Sequence, residues 1–195
     1  MTRGRPRTFD TDRALETALG LFWRHGYEGT SLAMLTDAIG VNVPSLYAAF
    51  GNKEALFRKT LDRYLAKPAS YLPTACGQPT ARKVVEALLS GAIKMVKRPR
   101  SGDGCLLVHG ALAASPDGGA IRAELSRRRA GAEAFVRRRF ERARAEGDLP
   151  ASADPAKLAR YVMTLVWGLS VQAAGGATRR QLEAVAETAL ECWPG

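Results

Sequence analysis

Apolar side chains recur every three or four positions along most of the chain, and that period predicts helices. Leu15, Ala18, Leu19 and Phe22 make the first buried stripe, with Trp23 and Tyr27 as further packing residues. Asp10 is placed to cap this helix, Phe9 and Ala14 to staple its entry, and Gly26 to stop it. Leu32, Leu35 and Ile39 mark a second, short helix opened by the hydroxyls of Thr30 and Ser31 and closed by Gly40. Asn42 caps a third, Pro44 sits in its first turn, and Leu46 and Phe50 face inward. Asn52 caps a fourth, whose stripe of Leu56, Phe57, Leu61, Tyr64 and Leu65 runs to about residue 67. Pro68, Pro73, Gly77 and Pro79 then predict a break. Beyond it the pattern predicts helices over about 80–97 (Val84, Leu88, Met95), 105–114 and 119–146 (Ile121, Leu125, Ala132, Phe135, Val136). Asp154 and Pro155 open another, and Thr178 the last. No alternating run predicts a strand, so the expected fold is all-α, with about nine helices.

The stretch from Thr30 to Lys53 is two short helices joined by a tight turn. With Leu46 and Phe50 turned inward, Asn42, Val43, Ser45, Tyr47 and Ala48 are left on the free face of the second. A short helix with small and hydrogen-bonding side chains outward suits the DNA major groove. Gly40-Val41-Asn42, Leu46-Tyr47-Ala48-Ala49-Phe50 and Lys53-Glu54-Ala55-Leu56, preceded by Phe22-Trp23-Arg24-His25-Gly26-Tyr27-Glu28-Gly29-Thr30-Ser31, resemble the DNA-binding signature of the TetR family of bacterial transcriptional regulators. The resemblance covers roughly the first third of the chain. It implies a helix-turn-helix DNA-binding domain over 1–50, including a basic arm at 1–9, and a helical ligand-binding and dimerisation domain over 51–195. Thr30, Ser31, Tyr47 and Lys53 are then expected on phosphates, and Asn42, Val43, Ser45 and Ala48 on bases. Arg3, Arg5 and Arg7 in the arm are placed to reach phosphates or a narrow minor groove.

Composition narrows the partners. The 195 residues carry a formal net charge of +10, which favours an anionic partner. No apolar run approaches the ~20 residues of a membrane span, and the N-terminus lacks the apolar stretch of a signal peptide. Three widely spaced cysteines, Cys76, Cys105 and Cys192, fit a reducing compartment, so a cytoplasmic location is expected. With two histidines and no Cys-x-x-Cys, neither a metal nor another cofactor is expected.

Charge falls away toward the C-terminus, where Lys157, Arg160, Arg179 and Arg180 balance Asp154, Glu183, Glu187 and Glu191. The helix after Asp154 has more apolar surface than one face needs. A homodimer interface is therefore expected from Leu158, Val162, Leu165, Leu169, Leu182, Val185 and Leu190. The resemblance also implies a small-molecule pocket among the middle helices, for which Met95, Cys105, Leu106, His109, Leu112, Phe135, Tyr161, Met163 and Trp167 are the candidates. Cys105 and His109 share a helix face, an arrangement in which histidine can activate a thiol. Arg127-Arg128-Arg129 and Arg137-Arg138-Arg139 read as a basic outer face interleaved with Glu124, Glu133 and Glu141.

Together these readings point to a ligand-responsive, sequence-specific DNA-binding regulator, a repressor working as a dimer on a near-palindromic operator. The partners are double-stranded DNA, a small-molecule effector and a second copy, with no membrane. The alternatives are a sequence-indifferent DNA-packaging protein and an enzyme using the hairpin as scaffold. Against an enzyme stands the lack of a nucleophile-base-acid set and of a glycine-rich phosphate loop.

Overall fold

The computed structural model describes residues 10–67, 71–96, 104–112 and 119–194, apart from the side chains of 96 and 110–112. Phe9 and the arginines of the arm lie outside them. Ten helices and no strand occur among the described residues: α1 (Thr11–Gly29), α2 (Leu32–Ile39), α3 (Val43–Phe50), α4 (Lys53–Ala66), α5 (Tyr71–Cys76), α6 (Ala81–Val96), α7 (Leu106–Leu112), α8 (Gly119–Ala145), α9 (Pro155–Ala174) and α10 (Arg179–Glu191).

Local chemistry sets most boundaries. The Asp10, Ser31, Asn42, Asn52, Asp154 and Thr178 side chains each accept a backbone N–H from the first turn of the helix they precede, a contact worth about 1 kcal/mol. Thr178 and Gln181 complete a reciprocal capping box. Gly26 leaves helical geometry inside α1, as expected of a stop. Gly40 closes α2 at φ +80, donating its N–H to Thr36. Thr80 caps α6 locally, accepting the Lys83 N–H at 3.2 Å, and Asp148 from far along the chain accepts the Ala81 N–H at 2.5 Å. Helix α5 occupies the expected proline-rich break. Pro73 stands in its first turn, where the lost N–H has no partner to lose.

Two apolar cores result. Phe22, Leu35, Leu46, Phe50, Phe57 and Leu61 pack α1–α4 together, and this core continues through Tyr64 to Met95, Leu106, Ile121 and Leu125. Rings organise it: Phe22 and Tyr27 stand edge-on to Phe57, and Trp23 to Tyr64. The second core joins α5, α6, α8, α9 and α10 through residues such as Leu88, Phe140, Val162 and Leu182. Arg63 of α4 ties to Asp12 and Glu16 of α1, while Arg128 of α8 ties to Asp62 of α4.

The arginine runs are only partly the expected outer face. Arg139 is 6% exposed and donates to the backbone oxygens of Gln78 and Pro79. Arg129 donates to Leu107 O, and Arg128 holds the buried Glu124. Consecutive residues turn by roughly 100° around a helix, so a triplet always sends a member inward.

Candidate nucleic-acid interface and effector cavity

Helices α2 and α3 cross at 90°. Leu46 and Phe50 anchor α3 in the core, so Val43 (36% exposed) and Tyr47 (40%) stand outward with Ser45 and Ala48. This is the face expected to meet DNA. Asn42 is also exposed, but its Oδ1 caps Ser45 N–H at 2.9 Å, which leaves the amide N–H groups as its outward donors.

Two phosphate candidates fare differently. Ser31 is exposed and caps α2. Thr30 is wholly buried, and its hydroxyl donates to Gly26 O at 2.7 Å. It fixes the corner between α1 and α2, and its side chain cannot reach a phosphate. Lys53 opens α4, where free N–H groups and the helix dipole favour an anion. Its ammonium lies 4.4 Å over the Tyr27 ring. Partial burial lowers its pKa while nearby Glu28 raises it. Arg3, Arg5 and Arg7 lie outside the described residues.

A small cavity of about 50 Å³ sits where the two cores meet; small-molecule sites are typically roughly 300–1,000 Å³, so a ligand there has to be small and spread the walls. Met95, Cys105, Met163 and Trp167 line it as expected. Tyr64, Tyr71 and Ser170 line it too, and sequence reasoning missed them. Tyr64 lay in the α4 stripe, where a buried tyrosine implies a partner for its hydroxyl. Its O–H donates to Cys105 Sγ at 3.4 Å. Tyr71 lay in the proline-rich break and gave no signal.

Other expected pocket residues are elsewhere. Leu106 is wholly buried in the first core and does not line the cavity. Phe135 (36% exposed) and Tyr161 (42%) are on the outer surface, at the edge of inward faces that Ile121, Leu125 and Val136 of α8 and Val162, Val166 and Leu169 of α9 form as expected. The Leu112 side chain lies outside the described part. His109 does not line the cavity. Its Nε2 is buried, without a hydrogen-bond partner among the described residues, next to Gly104. The Cys105–His109 thiol pair is therefore not formed. Cys105 pairs with Tyr64, and burial pushes its thiol pKa up.

A second concavity of about 660 Å³ runs between α9 and α10 on the outside. Leu165, Leu169, Leu182 and Val185 line it, but Leu169 and Leu182 are buried in the second core and form its floor, which leaves Leu165 and Val185 as the outward members of the expected interface. Leu158 and Leu190 are half-buried against the second core. Val162 is wholly buried within its own subunit, so it supports the outer face without belonging to it. Tyr161 and Val171, each 42% exposed, stand on the outside of α9.

Comparison with known proteins agrees with this geometry. Residues 14–60 match the family model for bacterial regulatory proteins of the tetR family. Residues 81–189 match that for the tetracyclin repressor-like C-terminal domain. The chain is 35% identical over 195 residues to the HTH-type transcriptional repressor ComR of Escherichia coli (strain K12), covering 99% of this chain and 93% of that protein. It is 38% identical over 102 residues to the repressor BdcR of the same organism, about half of each chain (52% and 51%). Among solved structures, a cysteine variant of the TetR family regulator CifR, complexed with 26-bp double-strand operator DNA, superposes with a TM-score of 0.92 at 44% identity, covering 98% of this chain and 100% of that one. With family models matching both its N-terminal and its C-terminal part and a relative over nearly its whole length, the chain belongs to the TetR family of bacterial transcriptional regulators.

Proposed function

We propose that the chain is a repressor that binds a near-palindromic double-stranded operator as a homodimer and leaves it when a small molecule enters the cavity. The observation that carries this reading is the link between the two sites. The cavity wall at Gly104–Cys105 is hydrogen-bonded to α1 through Trp23 and to α4 through Tyr64. Anything that moves that wall acts on the DNA-reading part directly.

In this reading Val43, Ser45, Ala48 and the Asn42 amide face bases. Ser31, Tyr47 and Lys53 hold phosphates, with Arg3, Arg5 and Arg7 reaching from the arm. Residues 1–50 do the reading and 51–195 the sensing and pairing, with α4 as the lever between them. Leu165 and Val185, flanked by Tyr161 and Val171, form the two-fold contact. Two copies then reach half-sites about one helical turn apart. Effector and operator affinities are reciprocally coupled. The protein works in the cytoplasm and catalyses nothing. That ComR and BdcR are named repressors supports repression as the output.

The test is selection of bound fragments from the source genome, followed by competition with bulk DNA. The selected duplex should outcompete bulk DNA by roughly 10³-fold or more, and the protein should sediment as a dimer. Equal competition by bulk DNA would favour the packaging alternative. No DNA binding at all would return the enzyme alternative.

A further inference from the structure

The lining of the cavity restricts what can fill it. Its walls are the apolar groups of Met95, Leu107, Met163 and Val166 and the rings of Tyr71 and Trp167. Among the described residues no Asp, Glu, Lys, Arg or His lines it. Arg129 lies near Cys105 but is tied to Leu107 O at 2.5 Å, outside the lining. The Ser170 hydroxyl already donates to Val166 O. Burial raises the pKa of Tyr64, Tyr71 and Cys105, so all three are uncharged at neutral pH. An ion entering would lose its water and find no opposite charge.

One polar contact in the lining is easily displaced. The Tyr64 hydroxyl donates to a sulfur, and thiol sulfur is a weak acceptor. An oxygen acceptor brought in by a ligand would be the better partner. The next residue along, Gly104, is wedged. Its φ is +88, and a Cβ there would collide with His109 Nε2 and stand 2.9 Å from Ser170 O. No side chain fits at this corner on the side of Ser170. The Gly104 carbonyl holds the Trp23 indole N–H at 2.8 Å, a buried bond between residues 81 apart in sequence.

Building on the effector-cavity reading above, we propose that the effector is a small, uncharged, mostly apolar molecule of a single ring carrying a hydrogen-bond acceptor. It takes the Tyr64 hydroxyl from Cys105, and the displaced Gly104–Cys105 corner loosens Trp23, the latch on the reading head.

The full-length protein is titrated calorimetrically at neutral pH with methyl benzoate and p-cresol, and with their charged counterparts benzoate and 4-hydroxybenzoate. At least one neutral probe should bind with a Kd below about 1 mM, and its charged counterpart at least about tenfold more weakly. Ala132→Trp, which fills the cavity, should abolish binding, and Tyr64→Phe should weaken it. On the selected operator the bound probe should weaken DNA binding by about fivefold or more. In Trp23→Phe that weakening should shrink to about twofold or less, with probe binding retained. Charged probes binding as well as neutral ones, or no probe binding, overturns the effector class. A Trp23→Phe response equal to the parent's overturns the latch, and Tyr64→Phe tests the same path should Trp23→Phe misfold. Operator preference without any probe tests the regulator reading separately, so the two can fail independently.

Discussion

Gly40 makes the helix-turn-helix possible at the cost of one permissive residue. At φ +80 it turns the chain between α2 and α3, and no atom outside its immediate neighbours lies within 4 Å of where a Cβ would stand. Gly40→Ala therefore meets no clash and carries only the left-handed penalty, about 1 kcal/mol. Urea denaturation should show that loss, with specific operator binding weakened alongside. Cys76 sets a limit of a different kind. Burial raises its thiol pKa from the ordinary 9.0 to about 11, against a smaller lowering by Arg139. The unfolded chain releases that proton first as pH rises. The thiol's contribution to stability is complete below pH 9 and is lost between 9 and about 11. Tyr64 and Cys105, also raised, act in the same direction. Urea midpoints should fall across this window, and Cys76→Ala should make the fall shallower.

Helix α8 shows how charge on one element can be structural in one turn and solvated in the next. Glu124 is 5% exposed and holds both Arg127 and Arg128, but Arg127 is out in solvent while Arg128 is half-buried and also reaches Asp62. Glu124→Ala leaves Arg128 without its buried partner and should cost roughly 2–3 kcal/mol. Arg127→Ala should cost under about 1 kcal/mol. Thermal and urea unfolding of the two variants checks the order. The same helix marks what could be read in advance. Caps and stops were legible because they depend on a few adjacent residues: Asn42, Asn52, Asp154, Thr178 and Gly40 stand where local chemistry puts them. The face a helix buries depends on neighbours far along the chain. That is why Phe135 and Tyr161 turned outward and Arg139 turned inward, to the backbone oxygens of Gln78 and Pro79. Tyr64 reached the cavity because α7 brings Cys105 to it, a pairing across 41 residues that no local window contains. Helix α5 was hidden because its proline falls in a tolerated position.

At the scale of the molecule, an excess of positive charge meets a polyanion. Operator affinity should fall steeply with salt, by about two orders of magnitude or more between 50 and 200 mM. Lys53→Ala should lower the slope of log K against log salt by about one per subunit, with little change in base preference. Filter binding or fluorescence anisotropy at several salt concentrations measures both. A slope unchanged by Lys53→Ala would remove it from the phosphate contacts. The reading face was legible because it belongs to one short helix with its own caps. The cavity was legible only in part, through Met95, Cys105, Met163 and Trp167, since its walls come from both cores and meet only where they abut.

The Trp23 indole, bonded to the cavity wall from inside the DNA-reading part, is also a fluorophore. With Trp167 and Trp193 replaced by phenylalanine it would be the sole emitter. Its colour and lifetime would then follow the environment of one carbonyl, letting stopped-flow light emission time the molecule's decision to let go of its promoter.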